Sequence, residues 1–562
     1  MRMLVGLAVA AMMMQQPAGD RPAGNTRGTR SVVMARNGAI ATSQPLATAA
    51  GLKVLQDGGN AIDAAVTAAA VLSVVEPTMN GPGGDLFAIV YSAKDHKVHG
   101  LNASGRAPAA ATLDEFKKRN LQHVPLRGEL SVSVPGVVDG WNELLTKHGT
   151  RTLAQALEPA IRYARDGYAV SEIIAGQWKE VESLLSRDAK TAAVFLPGGK
   201  APAPGDVFRN PALASSLEQI AKGGRDVFYK GAIAKAIADD MQRRNGLLTA
   251  KDLADHHADW VEPLSTTYRG YQVLELPPNT QGVTALEMLN ILEGFDLKSL
   301  GHNTAAYLHV MVEAKKIAFA DRGAWIGDPS STPPKAIERM LSKDYAAERR
   351  KEINPDKASE YKALTLTGTA APPADPEPAG RGDTIYMTAA DSQGNVISLI
   401  QSLYETFGSG IVAGDTGIVL HDRANLFSLT PGHPNQIAPG KRPFHTLVPA
   451  MVMKDGAPWL SFGVMGGDMQ AQGHAQVLAN LIDFGMNIQE AGEAPRFRHS
   501  GNGLALESAF TADARNGLTA RGHHVTGGTG AWGGFQGILI DPKTRVLMAG
   551  SDPRKDGMAA GW

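Results

Sequence analysis

Thr384 follows Gly382-Asp383 and opens an extended apolar run, Ile385-Tyr386-Met387-Thr388-Ala389-Ala390. Just before it, Ala371-Pro372-Pro373-Ala374-Asp375-Pro376-Glu377-Pro378 is too rich in proline for helix or sheet interior and reads as an exposed, extended linker. A Thr at the first position of a strand becomes a self-sufficient catalyst if the peptide bond before it is cut. The hydroxyl is then the nucleophile and the freed α-amine, with an ordinary pKa of about 7.7–8.0, is the base. From spacing alone the plainer reading, a strand-initiating Thr, stands ahead of this one.

Other chemistries lack their residues. The chain has no cysteine, which removes disulfides, thiolate metal sites and cysteine nucleophiles. There is no Gly-x-Ser-x-Gly elbow, no His-Glu-x-x-His and no P-loop. Gly528-Thr529-Gly530-Ala531-Trp532-Gly533 matches a dinucleotide fingerprint in letters only, since a strand rather than a helix is expected after it. His421, His433 and His445 recur at a spacing unlike that of local metal ligands and read as loop and core histidines. Arg381-Gly382-Asp383 spells an adhesion tripeptide but reads as loop chemistry. Lys and Arg number 55 against 56 Asp and Glu, a net charge of -1 that gives no reason to expect a nucleic acid partner. No metal or organic cofactor is implied.

The elements that must position Thr384 are legible as hairpins. Ile385–Ala390 and Val396–Tyr404 flank Asp391-Ser392-Gln393-Gly394; Val448–Lys454 and Trp459–Val464 flank Asp455-Gly456; Phe535–Ile540 and Arg545–Ala549 flank Asp541-Pro542-Lys543-Thr544. Leu86–Tyr91 reads as another strand. Leu46–Gln56 is a predicted helix stopped by Asp57-Gly58-Gly59, and Asn60 caps a second, Ala61–Val75, apolar on nearly every face and therefore interior. The stretch 153–341 reads as mostly helical, with Ala305–Asp321 its clearest amphipathic segment, and Gln472–Phe484 is helical between hairpins. Hairpin-built sheets with helices on their faces predict a layered α+β fold.

At the N-terminus Arg2 precedes the apolar run Met3–Met14, which fits a secretory signal better than a membrane span. Residues 1–25 are accordingly expected to be a signal peptide and flexible start, and the protein to be exported, periplasmic or extracellular, without stable membrane insertion.

Over nearly its whole length the chain resembles the γ-glutamyltranspeptidase family of self-processing N-terminal nucleophile hydrolases. The resemblance rests on Ala41-Thr42-Ser43-Gln44-Pro45-Leu46-Ala47, Gly58-Gly59-Asn60-Ala61-Ile62-Asp63-Ala64-Ala65, Glu313-Ala314-Lys315, Phe319-Ala320-Asp321-Arg322 and Gly327-Asp328-Pro329. It continues through Asp383-Thr384, Phe407-Gly408-Ser409-Gly410-Ile411-Val412, Gly440-Lys441-Arg442-Pro443, Gly466-Gly467 and Ala494-Pro495-Arg496. It implies a four-layer αββα sandwich and cleavage between Asp383 and Thr384. That cut gives a large subunit, 26–383, ending in the linker 362–383, and a small subunit, 384–562, which together form one composite domain. Thr384 would be the nucleophile for both processing and hydrolysis, Ser402 would stand for the family's second Thr, and Gly466 and Gly467 would form the oxyanion hole. Arg106 would clamp a substrate carboxylate through two parallel hydrogen bonds.

The departures lie in substrate recognition. Tyr404 replaces an Asn that touches the glutamyl group, and His445-Thr446 replaces a Ser-Ser pair. Arg423-Ala424-Asn425-Leu426-Phe427 replaces Gln-Met-Asp-Asp-Phe, leaving Leu426 where an acidic residue holds the substrate α-amine. The resemblance thus implies an amidase for γ-glutamyl compounds such as glutathione, with possible transfer to amines. The alternatives are a glutaryl or cephalosporin-type acylase of the same fold and, less in keeping with the retained Thr384, Gly466 and Gly467, a non-catalytic exported binding protein. A replacement ammonium partner among Asn425, Asp422 and Asp468 is left open by the sequence.

Overall fold

The computed structural model describes residues 29–366, 370–373, 382–501, 503–527 and 532–562. The expected signal segment, most of the proline-rich linker and Gly528–Ala531 of the glycine-rich match lie outside the described residues. Two seven-stranded antiparallel sheets stack face to face. One runs in the order Met558–Gly561, Gly38–Thr42, Asp383–Asp391, Val396–Tyr404, Asp85–Ser92, Lys97–Ala103, Asp259–Val261. The other runs Val33–Ala35, Leu547–Ser551, Phe535–Ile540, Ala457–Val464, Ala450–Lys454, Tyr271–Glu275, Leu264–Tyr268.

The period of two along each strand assigns its faces. Phe87, Ile89, Tyr386 and Ile400 join Leu274, Met451 and Ile538 of the opposite sheet in one core between the sheets. Their neighbours Leu86, Ala88, Ile385, Met387 and Leu399 pack outward on Ala61–Val75 and the helices around it. A third core buries the outer face of the second sheet under Gly282–Leu292, Ala305–Trp325 and Met469–Ile482. The resulting layers are α, β, β, α, as expected.

The helix Ala61–Val75 spans the residues expected of it, and every one of them is buried. Its cap is reciprocal: Asn60 accepts from Ile62 and Asp63 N–H, and the Asp63 carboxylate accepts the Asn60 N–H. Gly58, at φ +85°, closes the preceding helix Pro45–Gln56 in the left-handed conformation that its position calls for. All three hairpins form, with Ala450–Lys454 and Leu547–Ser551 each starting two residues later than expected. The helical reading of 153–341 misses a fourth hairpin, Leu264–Tyr268 with Tyr271–Glu275, turned at Arg269-Gly270 with both φ angles positive. The linker region also begins packed rather than exposed: Leu364 is buried, and its carbonyl accepts the Trp325 indole N–H at 2.9 Å.

Candidate active site

Thr384 lies at the start of a central strand. Pairing between Asp383–Asp391 and Val396–Tyr404 is regular from Ile385 onward but shifts register between Asp383 and Ile385. Such a bulge re-aims a side chain out of the ladder, and here it coincides with the candidate nucleophile. The Thr384 hydroxyl, 1% exposed, donates to Ser402 Oγ at 3.2 Å. Ser402 Oγ also accepts the Tyr404 N–H at 2.7 Å.

Gly466 and Gly467 come from the other sheet, in the turn between Ala457–Val464 and the helix Met469–Ile482. Their φ angles are +108° and +58°, and a β-carbon on Gly466 would lie 3.0 Å from Gly533 Cα. Only glycine fits there without strain. The turn abuts the positive end of the helix macrodipole, which favours developing negative charge. A buried side-chain lattice holds it: Gln281 Nε2 donates to the carbonyls of Thr446 at 2.7 Å and Gly467 at 3.1 Å. Arg322 Nη1 donates to both Gln281 Oε1 and Asp468 Oδ1 at 2.7 Å. The segment before the candidate cleavage bond rests on this turn, for a β-carbon on Gly382 would lie 3.0 Å from Gly467 Cα and 3.2 Å from Tyr404 Cε2. The Gly382 N–H donates to Glu405 Oε1 at 2.6 Å.

Beside these groups lies a buried cation. The Arg423 guanidinium packs over the Tyr404 ring, 4.7 Å from its centroid, and Nη1 donates to Thr446 Oγ1 at 2.9 Å. Its Nε and Nη2, and the Tyr404 hydroxyl, are buried without hydrogen-bond partners. Burial pulls the guanidinium down to about 10 while Asp85, Tyr404, Asp422 and Glu405 hold it up, so it is charged at neutral pH. Orphaned buried donors on a charged group are costly and call for an acceptor. Two of them side by side suit a carboxylate.

His445 supports this wall. Its Nε2 is 3.1 Å from Asp85 Oδ2 and its Nδ1 accepts the Leu447 N–H at 3.3 Å, which assigns the proton to Nε2. Burial, aided by Arg423, pushes the His445 pKa down to about 3, so the ring is neutral. Burial opposes ionisation of Asp85, but His421, His445 and Arg423 outweigh it and hold the carboxyl at about 2. Asp422 goes the other way: burial raises it to about 7 against the pull of Arg127, with Glu405 adding to the rise.

The remaining sequence candidates fall differently. Arg106 Nη2 pairs with Asp259 at 2.9 Å and its Nη1 donates to the His257 carbonyl at 3.0 Å, so the guanidinium already has acceptors. The Asn425 amide donates to the Val124 carbonyl at 2.7 Å. Leu426 packs with Tyr404 and Phe444 in an apolar cluster. Asp468 is taken by Arg322. Sequence reasoning gave no role to Asp85, Gln281, Arg322 or Glu405. Arg322 and Asp85 were within reach, one inside a recognised block and the other beside the glycine loop 81–84, whereas Glu405 shows itself only through its contact with Gly382.

His421, His433 and His445 form no common ligand set, since His433 Nε2 pairs with the Gly323 carbonyl. The one group of potential metal ligands found among the described residues is His309, Glu313 and His523, buried, with ligand atoms within 4.8 Å of one another. Neighbours engage most of these atoms, although Glu313 Oε1 is buried with an ion pair to Lys316 and no hydrogen bond. His309 Nδ1 lies 2.7 Å from His523 Nε2, and Glu313 takes Lys316 at 2.5 Å and the Tyr361 hydroxyl at 2.6 Å. No described helix is long and apolar enough to cross a membrane.

The model of the γ-glutamyltranspeptidase family matches residues 47–562. A glutathione hydrolase-like YwrD proenzyme of Bacillus subtilis (strain 168) is 40% identical over 528 residues, covering 92% of this chain and 97% of the relative. The glutathione hydrolase proenzyme of Escherichia coli (strain K12) is 36% identical, covering 94% and 93%. Among solved structures, a cephalosporin acylase from Bacillus halodurans superposes with a TM-score of 0.88 at 41% identity, over 98% of this chain and 99% of that one. A matched family, relatives alike from end to end and a shared αββα architecture agree: this chain belongs to the γ-glutamyltranspeptidase family of N-terminal nucleophile amidohydrolases.

Proposed function

We propose that the chain cleaves itself between Asp383 and Thr384 and that the new N-terminal Thr384 hydrolyses γ-glutamyl amides of the glutathione type. The observation that carries this is the buried Thr384 hydroxyl, 3.2 Å from Ser402 and set at a bulge beside the left-handed Gly466-Gly467 turn. In processing, Thr384 Oγ1 adds to the Asp383 carbonyl carbon and the C–N bond breaks, which leaves an ester and a free Thr384 amine. Water hydrolyses the ester to the Asp383 carboxylate and the free hydroxyl. In turnover the α-amine takes the hydroxyl proton as Oγ1 attacks the substrate carbonyl, and the oxyanion is received by N–H groups of the glycine turn. The ammonium then protonates the departing amine, and water, or an acceptor amine, releases the acyl group from its ester. Ser402 orients the nucleophile, and the orphaned edge of Arg423 receives the substrate carboxylate.

A second reading keeps this machinery but takes glutaryl or other carboxyacyl amides. Leu426 favours it, because an apolar cluster stands where the family's ammonium-holding acid would be. The common mechanism is tested by intact mass and amidase assay. Wild type is expected to be split between Asp383 and Thr384 into two chains and to release p-nitroaniline from γ-glutamyl-p-nitroanilide, while Thr384→Ala does neither. A Thr384→Ala protein that still splits there overturns the assignment.

A further inference from the structure

We propose that Glu405 is the acid that holds the substrate α-ammonium, and that self-cleavage uncovers it. This rests on the reading of Thr384 as an amidase nucleophile and decides between its two substrate classes. In the uncut chain the residue just ahead of Asp383 occupies the acyl side of the site. Gly382 is buried, lies against Gly467 and the Tyr404 ring, and gives its N–H to Glu405 Oε1 at 2.6 Å.

The same nucleophile attacks the Asp383 carbonyl in processing and the substrate carbonyl in turnover, so the two acyl groups must lie alike relative to Thr384. Counting along the chain, the Gly382 nitrogen is one bond further from the Asp383 carbonyl than the α-nitrogen of a γ-glutamyl group is from its own reacting carbonyl. The acceptor that meets the first donor is therefore at the right reach for the second. Once the bond is cut and the segment ending at Asp383 withdraws, Glu405 Oε1 loses that donor and faces the vacated space.

The charges agree with a zwitterionic head. Glu405 follows Tyr404 in the chain and the Arg423 guanidinium lies over the Tyr404 ring at 4.7 Å, so a carbon carrying an ammonium and a carboxylate would meet both charges. Of the other acidic or amide candidates two are committed, and the third, Asp422, is held toward its neutral form by burial. Asn425 is turned to Val124 and Asp468 is paired with Arg322, while Asp422 Oδ1 accepts the Glu405 backbone N–H at 3.2 Å and its buried Oδ2 has no hydrogen bond, only Arg127 at 3.7 Å. Arg127, 3.7 Å from Glu405 Oε2, holds the far oxygen and leaves Oε1 for the ligand. The loss of the family's acid at Leu426 is thereby compensated from the strand end rather than from the loop.

The test uses the cut protein and two anilides that differ chiefly in the α-ammonium, γ-glutamyl- and glutaryl-p-nitroanilide. Wild type is expected to favour γ-glutamyl by at least tenfold in kcat/KM, and Glu405→Gln to reduce that ratio by at least tenfold, mainly through KM. The Gln side chain keeps an acceptor oxygen for the Gly382 N–H, so the variant is expected to process. Should it remain uncut, competition on wild type decides: L-glutamate must inhibit at least tenfold more tightly than glutarate. A wild-type preference for glutaryl, a Glu405→Gln ratio unchanged within threefold, or equal inhibition by the two acids overturns the anchor while leaving the amidase reading intact. Cut protein that turns over neither anilide overturns the amidase reading itself.

Discussion

Replacing Arg423 by Met should separate activity from stability. In the fold, Arg423 makes one side-chain hydrogen bond, to Thr446, and one cation–π contact with Tyr404. Against these stand two buried, unpartnered N–H-bearing nitrogens. The bond to a charged donor is worth about 1.5–3 kcal/mol and the ring contact about 0.5–2, while each orphaned donor costs about 1–3. Asp85, Asp422 and Glu405 lose a countercharge in the variant, but Met fills the volume without desolvating a cation. These opposed contributions are of equal size, so Tm should stay within about 5 °C of wild type in a calorimetric scan. Substrate binding has no such compensation. Two charge-assisted bonds from Nε and Nη2 to a carboxylate are worth about 3–6 kcal/mol together, or about 10²–10⁴-fold in kcat/KM. The assay is hydrolysis of γ-glutamyl-p-nitroanilide by protein confirmed as cut by mass. A variant within threefold of wild type in kcat/KM would refute the carboxylate role. A fall in Tm of 15 °C or more would show that the orphaned nitrogens had been misread.

Gly466→Ala puts a side chain where φ is +108° and the nearest backbone is 3.0 Å away, so the turn must shift. An oxyanion donor displaced this way costs about 10²–10³ in kcat, read by steady-state kinetics on cut protein, with KM little changed; an unaltered kcat argues against this turn as the hole. Ser402→Ala should slow self-cleavage at least tenfold in a pulse-chase gel, and Ser402→Thr should restore it; a Thr variant as slow as Ala would contradict a hydroxyl role. For Asp422, whose burial raises it from 3.8 to about 7, the folded state keeps a proton that the unfolded state releases between those values. Stability from this residue therefore falls as pH rises across that window. The difference in Tm between wild type and Asp422→Asn should grow from pH 4 to pH 7 and level off above it, and a flat difference would refute the shift.

The layered fold and its central hairpins were legible because strand alternation and turn residues are local signals. Val396–Tyr404 and Ala61–Val75 match their expected spans to the residue, one marked by period two flanking a Gly turn, the other by an Asn cap and an all-apolar run. The hairpin at Arg269-Gly270 was missed because its short strands, one edge-placed with a half-exposed face, sit between helices and carry Gln, Ser and Thr. The nucleophile stood out from sequence only through resemblance, since its bulge depends on register between strands. The lattice of Gln281, Arg322 and Asp468 spans residues 281 to 468 and arises only when three helices distant in sequence pack together on the second sheet. Glu405 was invisible for the same reason: nothing local distinguishes it from any acid at a strand end.

The strand order explains why a cut at residue 383 can activate the site without dismantling it. The strand Asp383–Asp391 is paired on one side with Gly38–Thr42 and on the other with Val396–Tyr404, which in turn pairs with Asp85–Ser92. The second sheet is interleaved in the same way, where Ala450–Lys454 pairs with Tyr271–Glu275 and Leu547–Ser551 with Val33–Ala35. Residues on both sides of the cut therefore share each sheet and all three main cores, and parting them would break ladders and hydrophobic contacts throughout. Cleavage just ahead of Thr384 removes only the backbone constraint at the mouth of the strand. On the proposed reading its consequences would be a new amine on Thr384 and the release of Gly382 from Glu405. Strands from both sides of the proposed cut pair throughout the two sheets, so one broken bond would change the chemistry of the site while the ladders that carry Ser402 and the Gly466-Gly467 turn stay paired.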